Sequence, residues 1–323
     1  MRHPSLAPFV VTPALCLLLA ACKPNATTAN EQAAPNVSAS SSEKTPAEKA
    51  EQKEFANWSE KAKQNDPEAF LQVGRGYLQG RGVANDNAKA AEYFRKAAEL
   101  GNWKAQNNLG LLYADGRGVD KSIDEATKWL RKAAESGAVD AQVNFASMLT
   151  DGHELHQDFE EATQWFEKAA EQNSLEAQRQ LGRFYYFGDH GLPLDYELAS
   201  KWLTKAAEQG DPWSQNTLGA MNEHAQGMKK DLKQAADWYR KAAEQGDAKG
   251  QSNLGRLLAH NYGLPEDKVE AYKWLALSSE QGEVTAQNSF VEFKRSLNSI
   301  ELAEAQRRVE EFKQRRSIQA VNE

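Results

Sequence analysis

Two sets of residues in this chain have the residue types and the spacing of possible binding sites, one for a nucleotide and one for a metal ion. Gly80-Arg81-Gly82 and Gly116-Arg117-Gly118 match half of a glycine-rich nucleotide-binding loop, but such a loop follows a strand and carries further glycines at fixed spacing. His153 and His156 could share a metal ion, but no third ligand stands beside them and zinc sites use three or four. The glycine motifs are therefore predicted to be turns, and neither a metal nor a cofactor is expected.

Other catalytic chemistry has no better support. No candidate nucleophile is paired with a base, so the sequence predicts no active site. The two cysteines are Cys16 and Cys22, which leaves the residues after Cys22 without a disulfide or a thiolate metal site. A formal net charge of −7 argues against a nucleic-acid-binding protein. The chain is predicted not to be an enzyme.

The dominant pattern is a repeat. A glutamate that follows two small residues returns at Glu99, Glu135, Glu171, Glu208, Glu244 and Glu280, with gaps of 36, 36, 37, 36 and 36 residues. An aromatic residue precedes each by six positions: Tyr93, Trp129, Trp165, Trp202, Trp238 and Trp274. Self-similarity at this period predicts a stacked repeat array, with the aromatic column in its core.

Each repeat is predicted to contain two helices. In the second repeat, the apolar residues of 105–113 recur at helical spacing, and the glycines of 116–119 end that helix. Residues 123–133 then form a second apolar stripe. Asn65 and Asn173 stand where a second helix should end in a left-handed conformation. One hairpin cannot bury its own stripe, so hairpins must stack.

Together these residues resemble the Sel1-like repeat, the bacterial relative of the tetratricopeptide repeat. The second repeat carries nearly the whole pattern: Ala105, Leu109, Gly110, Tyr113, Gly116, Gly118, Val119, Ala126, Trp129, Ala133, Ala134, Glu135 and Gly137. The resemblance covers residues 66–283 and implies an all-α fold, a right-handed α-solenoid of stacked helical hairpins. Departures such as Ala225-Gln226-Gly227-Met228, which replaces the Gly-x-Gly turn, put the shape of individual loops in question.

The amino terminus indicates export. Residues 9–21 are apolar but too few to span a membrane, and they end in Leu19-Ala20-Ala21-Cys22, which resembles a bacterial lipobox. The resemblance implies cleavage before Cys22 and acylation of its thiol; the alternative is an ordinary secretory signal with an incidental cysteine. Lys23, where aspartate would favour retention in the inner membrane, favours the outer membrane.

Low-complexity composition and the repeat boundaries set the remaining organisation. The predicted segments are a lipoprotein signal peptide at 1–21, the acylated cysteine and a disordered tether at 22–53, an N-terminal capping helix at 54–65, six Sel1-like repeats at 66–283, C-terminal capping helices at 284–316 and a tail at 317–323.

The family resemblance also implies a binding groove, because first helices line the concave face in the tetratricopeptide superfamily. Counting positions from the Leu-Gly pair of repeats four to six predicts which side chains line the groove. They are Arg179, Arg183, Phe187, Trp213, Asn216, His224, Ser252, Arg256 and His260. Three arginines with an aromatic residue suit the anchoring of a peptide carboxylate. The alternative is that these residues only make the helices soluble.

The resulting hypothesis is a non-catalytic scaffold, lipid-anchored in the bacterial cell envelope and facing the periplasm, that binds an unidentified protein or peptide in this groove. Membrane contact would be through the N-terminal lipid alone. One alternative is an immunity protein that neutralises a secreted toxic effector such as a phospholipase. The other is a cell-wall-active or β-lactam-binding enzyme, which only family association suggests.

Overall fold

The computed structural model describes residues 44–151, 158–189, 192–260 and 267–322. Within these ranges the chain forms fifteen α-helices and no strand, which confirms the all-α repeat fold. The helices are α1 (Pro46–Ala62), α2 (Pro67–Gln79), α3 (Asn87–Glu99), α4 (Trp103–Asp115), α5 (Ile123–Glu135), α6 (Val139–Asp151), α7 (Phe159–Glu171), α8 (Leu175–Phe187), α9 (Tyr196–Glu208), α10 (Pro212–His224), α11 (Leu232–Glu244), α12 (Ala248–Ala259), α13 (Lys268–Glu280), α14 (Val284–Lys294) and α15 (Ser299–Asn322).

The chain divides into two compact units, Met1–Gln157 and Asp158–Glu323. In the first unit α1 to α6 pack as a series, each helix against the next, with the closest pairs being α2 with α3 and α4 with α5. In the second unit α7 to α14 pack in the same way, and α15 lies against α13. Each unit is therefore a stack of helical hairpins.

Capping residues repeat with the period of the sequence. Second helices begin after a side-chain cap at Asp86, Ser122, Asp158, Asp195, Asp231 and Asp267, each accepting a backbone N–H of the first turn. Asn65 and Asn173 take positive φ angles of 59° and 69°, as predicted. The fifth repeat keeps the shape of its turn without the first glycine, because Ala225 itself adopts a φ of 57°. This conformation costs a non-glycine residue about 1–2 kcal/mol.

The second glycine of three of the turns explains how a hairpin rests on its predecessor. A Cβ atom at Gly118 would collide with the backbone of Asn87 at the start of α3, and one at Gly227 with the backbone of Tyr196 at the start of α9. Gly82 meets the backbone of Glu51 in the same way. Glu51 belongs to α1, so α1 takes the place of a preceding second helix and caps the first unit.

Two predicted boundaries are wrong. The first helix begins at Pro46, not at residue 54, because Thr45 and Glu48 form a capping box and Pro46 is pre-organised for the first turn. The charged, alanine-containing residues 46–53 favour a helix and do not belong to a tether. At the other end α15 continues to Asn322, so residues 317–322 are helical and not a tail. The predicted signal peptide and Cys22 lie outside the described residues.

The aromatic column lies mostly in the core, as predicted. Trp129, Trp165, Trp202 and Trp274 are buried, and Tyr93 and Trp238 are half-buried. The lysine three residues after each of the first five aromatics does not extend freely into solvent. Its ammonium group lies 3.7–5.0 Å from the ring centroid, so a cation–π contact covers the outer edge of the column.

A glutamine network joins consecutive repeats of the second unit. The Nε2 groups of Gln178, Gln215 and Gln251 donate to the carbonyls of Ala170, Ala207 and Ala243 at 3.1, 3.0 and 3.1 Å. Their Oε1 atoms accept from Gln209, Gln245 and Gln281 of the next hairpin at 2.7, 2.8 and 2.8 Å. Carbonyls at helix ends have no partner within the helix, and here the following repeat supplies one.

Candidate functional site

The predicted groove residues all belong to the second unit and to one set of elements. Arg179, Arg183 and Phe187 lie on α8, and Trp213, Asn216 and His224 lie on α10. Ser252 and Arg256 lie on α12, and His260 is its C-cap. These helices are the first helices of three consecutive hairpins. Their side chains divide into those that hold the helices together and those that face solvent.

Arg179 belongs to the first group. Its guanidinium pairs with Glu176 on the same helix and lies 3.7 Å from Asp211 Oδ1. Asp211 is buried and caps α10, since its Oδ2 accepts from the backbone N–H and the hydroxyl of Ser214 at 2.8 and 2.6 Å. Arg179 thus connects α8 with the start of α10, and its charge is largely neutralised within the fold.

Arg256 is bound still more tightly. Its Nη2 donates to Glu223 Oε2 at 2.6 Å, and the Tyr239 hydroxyl donates to the same oxygen at 2.9 Å. Burial raises the pKa of Glu223, but the hydrogen bonds from Arg256 and Tyr239 and the charge of Arg256 outweigh it and lower that pKa. Burial and the neighbouring carboxylate raise the pKa of Tyr239. The cluster is an ionised carboxylate held in the fold by two donors.

Two polar residues of the predicted groove also serve packing. The Asn253 amide donates to Asn216 Oδ1 at 2.9 Å and so links α12 to α10. Ser252 is only 4% exposed, so its place in an open groove is corrected. It lies on the side of α12 that meets the cap of α14, where its hydroxyl helps to lower the pKa of Glu283.

The remaining predicted residues are accessible. Phe187 is 51% exposed, His224 and His260 are exposed, and Trp213 is half-buried. The Arg183 guanidinium lies 5.6 Å from the Phe184 ring. Its buried Nε has no hydrogen-bond partner within the part of the chain that the structure describes. Phe187 is an exposed aromatic residue, and the Arg183 guanidinium, one turn earlier on α8, has no ion pair with a described carboxylate. Together they can take an apolar side chain and an acceptor oxygen from a partner.

Sequence reasoning missed the aromatic cluster that supports Phe187. The rings of Tyr186 and Phe187 meet edge to face with centroids 5.0 Å apart, and Tyr196 lies 5.6 Å from Tyr186. Gln226 donates to the Tyr196 hydroxyl at 3.1 Å and accepts from the Tyr186 hydroxyl at 3.4 Å. Burial raises the pKa of Tyr186. The available signal was the run of four aromatic residues, 184–187, that ends α8.

The first unit holds a cleft that was not predicted. It has a volume of about 430 Å³ and is lined by α1, α2, α4 and the turns that follow α2 and α4. Arg75, Arg117 and Trp58 are among its walls. The described residues contain no group of three or more His, Cys, Asp or Glu suited to a metal ion. His153 and His156 lie outside them. Of the helices that the structure describes, none combines the length and apolarity needed to cross a membrane.

The chain is similar to a known protein family in sequence and to solved proteins in structure. A family model described as the Sel1 repeat matches residues 67–102, 103–137, 139–174, 175–211, 214–247 and 248–283. A solved Sel1 repeat protein from Oxalobacter formigenes is 28% identical, with a TM-score of 0.62 over 77% of this chain and 71% of that chain. A protective antigen present in uropathogenic Escherichia coli strains, displaying an SLR fold, is 25% identical, with a TM-score of 0.50 over 82% of this chain and 68% of that chain. An immunity protein from Pseudomonas aeruginosa is 20% identical, with a TM-score of 0.34 over 68% of this chain and 83% of that chain. No curated protein matches the chain in sequence.

Proposed function

Since the chain belongs to the Sel1 repeat family, we propose that it is a non-catalytic scaffold that binds a protein or peptide partner on the first helices of its second unit. Stacked helical repeats present extended surfaces that suit such binding. The observation that carries the proposal is Phe187, which is 51% exposed and held by the aromatic cluster beneath it. A large apolar side chain fixed in an exposed position loses little conformational freedom when a partner covers it.

The paired arginines change which residues should matter for binding. Arg179 pairs with Glu176 and Asp211, and Arg256 pairs with Glu223. Both arginines therefore stabilise the fold, and their charges are not available to a partner. We assign partner contact to Phe187 and Trp213, with Arg183 as the cation that approaches an acidic group of the partner.

Replacing Phe187 by serine is expected to lower partner recovery from envelope extracts at least about tenfold, the effect of losing roughly 1.4 kcal/mol at an aromatic hot spot. Recovery is measured by cross-linking pull-down with quantitative mass spectrometry. Leu100→Ser is the matched control, because Leu100 is also 51% exposed but lies in the first unit at the C-cap of α3. Equal recovery by the Phe187→Ser and Leu100→Ser variants would remove the proposed site. A secreted toxic effector among the captured proteins would instead favour the immunity role.

We also propose that the scaffold is anchored in the envelope by a lipid on Cys22, which the sequence Leu19-Ala20-Ala21-Cys22 supports. Two or three acyl chains suffice for stable attachment, whereas a single chain binds only marginally. Cys22→Ala is expected to abolish labelling by radioactive palmitate and to release the protein from the membrane fraction or leave it uncleaved. Cys16→Ala is the control, since Cys16 lies within the predicted signal segment and should leave labelling unchanged. A wild-type protein that takes up no label would contradict the anchor.

A further inference from the structure

The cleft of the first unit shares no residue with the binding surface proposed for the second unit. Its walls come from Trp58 on α1, Arg75 and Leu78 on α2, Leu111 on α4, and Arg117 in the turn after α4. Because α1 precedes the first family match at residue 67, one wall is a feature of this chain and not of the repeat. The volume of about 430 Å³ falls within the range of roughly 300–1,000 Å³ that ligand sites occupy.

Among the residues that the structure describes, two cations in the cleft have no counter-ion. Arg75 and Arg117 are half-buried, and neither guanidinium lies within 4.0 Å of a carboxylate among the residues that the structure describes. Arg81, at the edge of the same cleft, does have one, since its Nε lies 3.4 Å from Glu51 Oε1. A partly desolvated guanidinium carries only donors, so a ligand carboxylate would satisfy groups that the fold leaves unpaired.

Asn107 adds a donor whose direction the fold determines. Its side chain is only 8% exposed and lines the cleft. The Asn144 amide donates to Asn107 Oδ1 at 2.9 Å, which fixes the orientation of the Asn107 amide. Its Nδ2 has no acceptor in the described part of the chain. This nitrogen is not among the fully buried side-chain atoms that lack a partner, so it is open to the cleft and can donate to an oxygen of a ligand.

We propose that this cleft binds an acidic segment of a partner peptide, in which a carboxylate side chain neighbours a large apolar one. The carboxylate is held by Arg75, Arg117 and the Asn107 amide, and the apolar side chain packs against Trp58 and Leu111. Glu54 and Asp115 also line the cleft and are exposed. Their charges disfavour polyanions and select a ligand with a single negative charge at its centre.

The test uses the purified full chain and two blocked dipeptides, N-acetyl-leucyl-glutamic acid amide and its uncharged glutaminyl counterpart. Binding is followed by the NMR signal of the Trp58 indole, assigned with Trp58→Phe. The glutamyl dipeptide is expected to shift this signal and to bind at least about tenfold more tightly than the glutaminyl one, the difference expected of a charge-assisted pair. Equal binding of the two dipeptides, or no shift of the Trp58 signal, overturns the proposal.

Variants and a second anion make the result specific. Arg75→Gln with Arg117→Gln is expected to weaken binding at least about tenfold, and Arg240→Gln, in the second unit, to leave it unchanged. If the double variant unfolds, Asn107→Asp still tests the site, because the new side chain keeps its shape and repels the ligand carboxylate. Inorganic phosphate that competes as well as the dipeptide would overturn the peptide assignment in favour of a simple anion site. Phe187→Ser should bind the dipeptide normally, so the two proposals can fail independently.

Discussion

Gly110→Leu is expected to lower the free energy of unfolding by about 3 kcal/mol, the upper end of the usual cost of overpacking. Even a Cβ atom at Gly110 would lie 2.6 Å from Leu130 Cγ and 3.2 Å from the Ala126 carbonyl oxygen. Both contacts belong to α5, the partner of α4 in its hairpin, so a leucine side chain must force the two helices apart. Urea denaturation followed by circular dichroism measures the loss.

Lys132→Leu is the matched control, because it adds the same side chain to an exposed position of the same hairpin. The Lys132 ammonium lies 5.0 Å from the Trp129 ring, and losing an exposed cation–π contact costs about 0.5–1 kcal/mol. Repeats couple mainly to their neighbours, so faster hydrogen exchange in Gly110→Leu should be confined to helices of the first unit. Equal losses in the two variants, or faster exchange throughout the second unit, would contradict this interpretation.

The period of the sequence was enough to predict the fold, because it reports local packing that every repeat must solve. Trp129 and Trp165 are buried where the column predicted, and Asn65 and Asn173 have the left-handed conformation that their positions required. Each of these predictions depends on one hairpin or on the contact between two neighbours. Such contacts recur, and a recurring residue type at one position reveals them.

The same logic could have found the positions of the glutamine network, although not the role of its residues. Gln106, Gln142, Gln178, Gln215, Gln251 and Gln287 recur with the spacing of the glutamates that define the repeat. A polar residue that repeats among apolar neighbours indicates a buried group with a fixed partner. The partner here is a backbone carbonyl of the preceding helix, which no residue type encodes. For that reason the role of these glutamines becomes visible only in the structure.

The candidate site was harder to predict because its residues do not repeat. Arg256 and Glu223 are separated by 33 positions, and no other repeat carries this pair. Whether an arginine on a first helix faces a partner or a carboxylate depends on its rotamer and on one residue of the neighbouring helix. The aromatic cluster around Phe187 involves Tyr196 and Gln226 from outside α8, so the spacing within that helix could not show it.

Arg256→Ala is expected to destabilise the second unit by about 2–3 kcal/mol at pH 7, because removal of one partner leaves a buried carboxylate without its cation. Glu223 has a side chain only 10% exposed and, among the residues that the structure describes, would keep the Tyr239 hydroxyl as its donor. Arg240→Ala is the control. Its pair with Asp237 at 3.6 Å is exposed, and such pairs contribute about 0–1 kcal/mol.

The dependence on pH separates charge from packing in this variant. In the wild-type protein the pKa of Glu223 is lowered, so its ionised form contributes stability that is present above the unfolded pKa of about 4.3 and is lost as the pH falls below it. Without Arg256, burial is no longer outweighed and the pKa of Glu223 moves upward. Its carboxylate can then take a proton on acidification, so the difference between variant and wild type should shrink from pH 7 to pH 4.5.

A deficit of the same size at both pH values would mean that Arg256 acts through the packing of its stem. Glu223→Gln combined with Arg256→Ala decides the same question at a single pH, because the amide can still accept from Tyr239 and carries no charge. Recovery of most of the lost stability at pH 7 would show that the unpaired charge was the penalty. Arg256 would then be a residue that the fold requires, and partner binding by the second unit would depend on the exposed side chains of α8 and α10.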